Sequence, residues 1–210
     1  MEIRPGTVTA LVGPNGAGKT TLLHVLATIH EPSTGSVSFG KKSFAVFSRK
    51  HRNRIGWVGH QSLLYEELTG RENLQLFAEL YGVASPNDVV HKWLERVGLL
   101  AEADRPSGTY SRGMKQRLSI ARALIHRPSI LLLDEPFSGL DRAGSAVIVD
   151  ILMECKRDGR TVVLVTHDLE LCHPTVDSVA VLHNGSLVEH HVLGDGESLL
   201  DAYQRYIQTA

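Results

Sequence analysis

The sequence predicts an α/β architecture, a parallel sheet interrupted by a helical insertion, and three observations carry that expectation. Short apolar runs of strand length alternate with helical patterns at both ends of the chain. Two of those runs, residues 7–12 and 130–133, are dominated by apolar side chains, as strands covered on both faces are. Between residues 62 and 128 the strand signal gives way to consecutive stretches of helical period.

Taken in order, the strand at 7–12 runs into a glycine-rich turn at 13–18 and a helix at 19–29. Strand signals at 36–39 and 55–58 flank a basic loop at 49–54. Leu74, Phe77, Ala78 and Tyr81 then fall at i, i+3, i+4 and i+7, one face of a helix. Further helices are predicted at 87–97 and 114–126, the last carrying Leu118, Ala121 and Ile125 before Pro128 stops it. Alternation resumes with a strand at 130–133, a helix at 144–156 and strands at 161–165 and 179–182. A turn at Asn184-Gly185 leads to a strand at 187–192 and a terminal helix at 199–207. The chain reads as one domain, with 1–61 and 129–210 forming the α/β core and 62–128 a helical subdomain.

Composition narrows the function classes. At 42% hydrophobic and 21% charged residues the chain is an ordinary globular one, and a net charge of −1 gives no basic field for nucleic acid. Cys155 and Cys172 make no disulfide framework, which suits a reducing compartment, and Cys155 continues the apolar stripe of Ile148, Ile151 and Leu152. The eleven histidines are scattered, and the adjacent His190 and His191 read as surface-strand residues. The first residues lack the apolar region of a signal peptide, and no run approaches the roughly 20 apolar residues of a membrane span. Any membrane role is therefore expected to work through a partner.

Gly13-Pro14-Asn15-Gly16-Ala17-Gly18-Lys19-Thr20 fits the phosphate-binding pattern G-x-x-x-x-G-K-[ST], followed by Thr21. Phosphates need several inward-pointing backbone N–H groups, so the loop must be free of obstructing Cβ atoms. The helix beginning near Gly18 adds its dipole, Lys19 a charge for the β- and γ-phosphates, and Thr20 a hydroxyl for Mg²⁺. The apolar run at 130–133 ends in Asp134 and Glu135, at the strand tip where ligands sit in open α/β sheets. Asp134 is suited to holding Mg²⁺, and Glu135 to activating or orienting a water.

Between these motifs lies Tyr110-Ser111-Arg112-Gly113-Met114-Lys115-Gln116-Arg117, then Leu118-Ser119-Ile120-Ala121-Arg122-Ala123-Leu124. This segment resembles the signature of ABC ATPases, the nucleotide-hydrolysing subunits of ABC transporters. Other marks stand in that family's order: Gln61 after the strand at 55–58, Ser138-Gly139-Leu140-Asp141, and His167 within Val165-Thr166-His167-Asp168. The resemblance spans nearly the whole chain and implies a P-loop NTPase fold that takes ATP and Mg²⁺. It implies that Gln61 contacts Mg²⁺ or the attacking water and that His167 contacts the γ-phosphate. It also implies that Ser111, Arg112, Gly113, Met114 and Asp141 face the nucleotide of a second ATPase subunit. The partners implied are that second subunit and a polytopic membrane subunit, at the cytoplasmic face of the cell membrane.

Two departures from the family pattern stand out. Arg112 replaces a glycine; it adds strain if that backbone needs φ > 0, and otherwise a cation near phosphate. The chain also begins almost at the strand before the phosphate loop, so two earlier strands and an adenine-stacking aromatic are expected to be missing. His60-Gln61-Ser62-Leu63-Leu64-Tyr65, the stretch 65–82 and the Tyr110-Ser111-Arg112-Gly113-Met114 variant look most like the haem-exporter ATPase of cytochrome c maturation. A multidrug or polysaccharide exporter is the alternative. From other classes, a soluble non-transport ABC ATPase stays open, whereas a small-molecule kinase would have no reason to carry the signature or His167. The apolar run Leu63-Leu64-Tyr65 is expected to be exposed, as a contact for the membrane subunit.

Overall fold

The computed structural model describes residues 1–45, 47, 51–194 and 196–207. Its centre is a six-stranded sheet in the order β4-β5-β6-β1-β7-β8. The strands are β1 (Val8–Val12), β4 (Ile55–Val58), β5 (Ile130–Asp134), β6 (Thr161–Val165), β7 (Ser178–His183) and β8 (Ser186–Val192). The first five in spatial order are parallel, and β8 closes the edge antiparallel to β7. The sheet is thus mixed rather than wholly parallel. Asn184 and Gly185, both at positive φ, make the tight β7–β8 turn that reverses the chain. The two-residue strands β2 (Ser38–Phe39) and β3 (Lys42–Ser43) form a separate ribbon. Of the basic loop expected at 49–54, residues 49 and 50 lie outside the described residues, and Arg52–Arg54 form a 3₁₀ turn.

Strand alternation sorts the apolar side chains to the two faces of the sheet. Leu11, Leu132, Val163 and Ala180 point to one face and meet Leu23 and Ala27 from helix α1 (Lys19–Leu26) and the turn after it. Val8, Ala10, Leu131, Leu133, Val162 and Leu164 point to the other. There they meet three helices that lie between β4 and β5 in sequence, α2 (Gly70–Leu80), α3 (Pro86–Arg96) and α4 (Arg112–Leu124), together with α5 (Arg142–Arg157). Cys155 is buried in this cluster as a small hydrophobe, and burial pushes its thiol up to about 11. A single-turn helix α6 (Leu169–Cys172) and the terminal α7 (Leu199–Ile207) complete the fold.

Helix starts are set by side-chain caps. Ser111 Oγ accepts from the Met114 N–H at the head of α4, and Asp141 Oδ1 accepts from the Gly144 N–H at the head of α5. Both helices therefore begin two residues earlier than apolar periodicity suggested. Arg112 is the first residue of α4 and is absent from the residues with positive φ, so the strain considered for it does not arise. His190 and His191 are half-buried rather than plainly surface residues, and His191 Nε2 lies 2.8 Å from a Glu197 carboxylate oxygen.

Candidate nucleotide site

Three neighbouring parallel strands, β5, β6 and β1, end in register, and each is followed by a polar segment. Val165 pairs with Leu11 on one side and with Asp134 on the other. The turn at 13–18, the Asp134-Glu135 pair and the segment from Thr166 to His167 therefore converge on one sheet edge. Asn15 to Thr21, His60, Asp134, Glu135, Val165 and His167 line the resulting cavity of about 510 Å³.

The loop is built around its glycines. Gly13 adopts φ 145°, and a Cβ there would sit 2.0 Å from the Leu182 carbonyl oxygen, so only glycine lets the loop pass under β7. Gly16 and Gly18 also take positive φ, and Gly18 hands the chain to α1 with its first N–H groups free of a side-chain cap. Lys19 Nζ is held over the loop, donating to the Gly13 carbonyl at 2.7 Å and to the Pro14 carbonyl at 2.9 Å. Burial lowers its ammonium below the usual lysine value, opposed by the nearby charges of Glu135 and Asp134.

Thr20 Oγ1 donates to Asp134 Oδ2 at 2.9 Å across the strand ends. These are hard oxygen donors of the kind Mg²⁺ takes, with phosphate and water oxygens completing its shell. Mg²⁺ held there would neutralise charge on the phosphates.

Glu135 turns sharply out of β5 at φ 53°, a left-handed conformation costly for a glutamate, on the order of 1–3 kcal/mol. Its own N–H still donates to the Val165 carbonyl at 2.9 Å, and this bond fixes the turn. The carboxylate lies 3.1 Å from His167 Nε2 and accepts from the His167 N–H at 3.3 Å. Burial raises the Glu135 carboxyl above the usual range, His167 works against that rise, and Asp134 and Asp168 add to it.

A base works only when ionised, so a raised pKa means that activity falls as pH drops through that raised value. The acid limb of the rate profile is thus expected above the ordinary carboxylate range. Asp168→Asn removes a charge that raises the Glu135 pKa and should move the limb down, whereas His167→Ala should move it up. Limbs that stay in place in both variants, read from kcat against pH, would assign the titration to another group.

The remaining sequence-predicted residues are placed as follows. Gln61 is exposed and lines a neighbouring groove beside Thr20 rather than the cavity itself. Ser111, Arg112, Gly113 and Met114 head α4, where Arg112 donates to Ser138 Oγ and lines a smaller cavity with Asp134 and Glu135. Gly113 packs so closely that a Cβ would sit 2.7 Å from the Gly139 carbonyl oxygen. Leu63 and Tyr65 are exposed, but Leu64 packs against the core, so the apolar run at 63–65 is not uniformly free.

Sequence reasoning missed three contributors. His60 borders the nucleotide cavity, and its only signal is adjacency to Gln61. Gln116 Nε2 donates to the carbonyls of Glu135 (3.2 Å) and Pro136 (3.1 Å), tying α4 to the catalytic turn. Asn73, fully buried, donates to the carbonyls of Tyr65, Leu68 and Thr69 and so ties down the end of the segment that follows Gln61.

A phosphate loop, an oxygen pair for a divalent cation and a carboxylate–histidine pair on one parallel sheet edge define a nucleoside-triphosphate hydrolase. Residues 1–138 match the family model of the ABC transporter ATP-binding domain, and the chain belongs to that family. It is 34% identical over 206 residues to the ABC transporter ATP-binding protein NatA of Bacillus subtilis, covering 96% of this chain and 82% of the relative. It is 37% identical over 190 residues to the daunorubicin resistance ATP-binding protein DrrA3 of Streptomyces coeruleorubidus, spanning 90% of this chain and 60% of that one. The fold superposes with TM-score 0.85 and 29% identity on the dimeric, post-hydrolysis ATP-binding cassette MJ0796 bound to ADP and Pi, over 92% of this chain and 88% of that one. The chain is accordingly an ABC ATPase that binds and hydrolyses ATP to power transport. Among the described residues no helix is long and apolar enough to cross a membrane.

Proposed function

We propose that this chain drives an export transporter as a pair of ATPase subunits closed around nucleotide and docked on a polytopic membrane subunit. The carrying observation is the convergence of the Thr20–Asp134 and Glu135–His167 pairs on one sheet edge. The backbone of 13–18 with Lys19 holds the phosphates, and Thr21 lines the same site. Thr20 and Asp134, assisted by Gln61, hold Mg²⁺. Glu135 takes the proton of the attacking water, and His167 stabilises the charge that develops on the γ-phosphate. Ser111, Arg112, Gly113, Met114 and Asp141 serve the nucleotide of the partner subunit. The core is 1–61 with 129–210, and 62–128 is the subdomain that meets the membrane partner at the cytoplasmic face of the cell membrane.

For the cargo, the names of relatives favour drug or antibiotic export, as in the daunorubicin resistance protein. The haem-export reading is supported only by the residues at 60–65 and 110–114. A soluble, non-transport ATPase is the contrasting class, and docking separates it from both.

Leu63 is the better probe of docking than Leu64. It is 48% exposed and already at φ 51°, a conformation aspartate tolerates better than leucine. Leu63→Asp should leave folding and soluble ATP hydrolysis intact while abolishing co-purification with the membrane subunit. Co-purification unchanged in Leu63→Asp would remove this segment from the interface.

A further inference from the structure

A groove of about 670 Å³ opens beside the nucleotide site, between α1, β4 and the helices α2 and α4. Trp57, Phe77, Ile29 and Leu63 give it apolar walls, Thr20 and Gln61 border it on the nucleotide side, and Arg52 and Arg122 also line it. No aspartate or glutamate is among its lining residues. His126, stacked on Tyr81 with ring centroids 3.8 Å apart, is pushed down to about 4 chiefly by burial and so adds no charge at neutral pH. The two arginines are the permanent charges of the groove.

Arg122 is the unusual one. It is 8% exposed, its Nη2 donates to the Trp57 carbonyl at 2.9 Å, and its guanidinium sits 5.0 Å over the Phe77 ring. Its Nε is buried without a partner, and no carboxylate pairs with it among the described residues. A guanidinium stays charged in proteins, and a desolvated charge without a counter-ion is costly. An acidic group brought by a bound partner would relieve that cost and sit between apolar walls. We propose that the groove receives a helical segment of the membrane subunit whose apolar face carries one carboxylate, and that this carboxylate pairs with Arg122. The inference rests on the reading of the chain as the ATPase of a transporter, and adds the chemistry by which the partner is recognised.

Arg122 is placed to report such an event. Gln116, Ser119 and Arg122 recur at every third position of α4 and so share one side of it. Gln116 holds the carbonyls of Glu135 and Pro136, and Ser119 Oγ lies 2.9 Å from the Ser62 carbonyl. Arg122 holds Trp57. A pull on Arg122 thus reaches both sides of Gln61 and the turn of Glu135 through one rigid helix.

The test selects a displayed library of amphipathic helices of about 16 residues, roughly 24 Å long, with a central apolar-face position randomised. Targets are the full chain carrying Trp93→Phe, so that fluorescence reports Trp57 alone, and the same chain with Arg122→Met. Selected peptides are expected to carry Asp or Glu at the central position and to perturb Trp57. They should lose about tenfold or more in affinity when that residue is amidated or when Arg122 is Met. Should Arg122→Met not fold, Arg52→Glu on the exposed rim should weaken the same peptides several-fold. Failure to select any binder, binders without a carboxylate, binders indifferent to the arginine variants, or binding that leaves Trp57 unperturbed would overturn the proposal. MgATP hydrolysis by the same preparation tests the ATPase reading by itself, so loss of one reading is distinguishable from loss of the other.

Discussion

Replacing Glu135 by glutamine is expected to slow ATP turnover by about 10²-fold or more, equivalent to about 2.7 kcal/mol or more of transition-state stabilisation. The side chain's volume and its hydrogen bond from the His167 N–H are retained, since the amide oxygen still accepts. Only the capacity to take a proton from water is lost. ATP affinity should stay within a few-fold of the unaltered chain, because the phosphate loop and the Thr20–Asp134 pair are untouched. Backbone geometry should also hold, because the turn is fixed by the Glu135 N–H to the Val165 carbonyl. Turnover close to that of the unaltered protein would remove Glu135 from the chemistry and leave its strained φ without a functional reason.

Lys19→Ala acts on the other side of the reaction. In the structure the ammonium caps the Gly13 and Pro14 carbonyls, and burial depresses its pKa. A lysine whose folded pKa lies below its unfolded value destabilises the fold while charged, so its removal should not lower stability in the absence of nucleotide. The charged lysine is kept for its ligand. Hydrogen bonds to charged groups are each worth about 1.5–3 kcal/mol, so ATP affinity should fall by about 10- to 10²-fold. Equilibrium binding of a fluorescent ATP analogue together with a thermal melt separates the two effects. Tight binding with a lowered melting temperature would reverse the assignment and make Lys19 a structural residue.

The parts legible from sequence were those governed by strong local pattern. Strands at 55–58 and 161–165 and the helix at 199–207 fall where they were expected, because apolar period and flanking breakers agree there. Helix starts at 112 and 142 were placed two residues late although the caps Ser111 and Asp141 were in plain view, since apolar period marks the buried face rather than the first turn. The helix expected to run to 126 stops at Leu124, and Arg127 at φ 52° reverses the chain before Pro128. The four residues of α6 are too few to show a period at all.

In the site, the phosphate loop and the acidic pair were readable because each binds through a local run of residues at fixed spacing. The positive φ of Glu135, the bonds of Gln116 to the catalytic turn and the burial of Asn73 depend on segments brought together only by the sheet and the packing of α2 and α4. Leu64 was misjudged for the same reason: its neighbours Leu63 and Tyr65 are exposed, and only tertiary packing turns it inward.

The chain carries one phosphate loop and one signature segment, on different elements, and the proposed mechanism joins them between two subunits through the γ-phosphate. Sedimentation velocity of Glu135→Gln tests that most directly, because this variant should bind ATP and hold it. A dimer in saturating MgATP and a monomer in MgADP is the expected result. A monomer in both would contradict closure of the site between two chains.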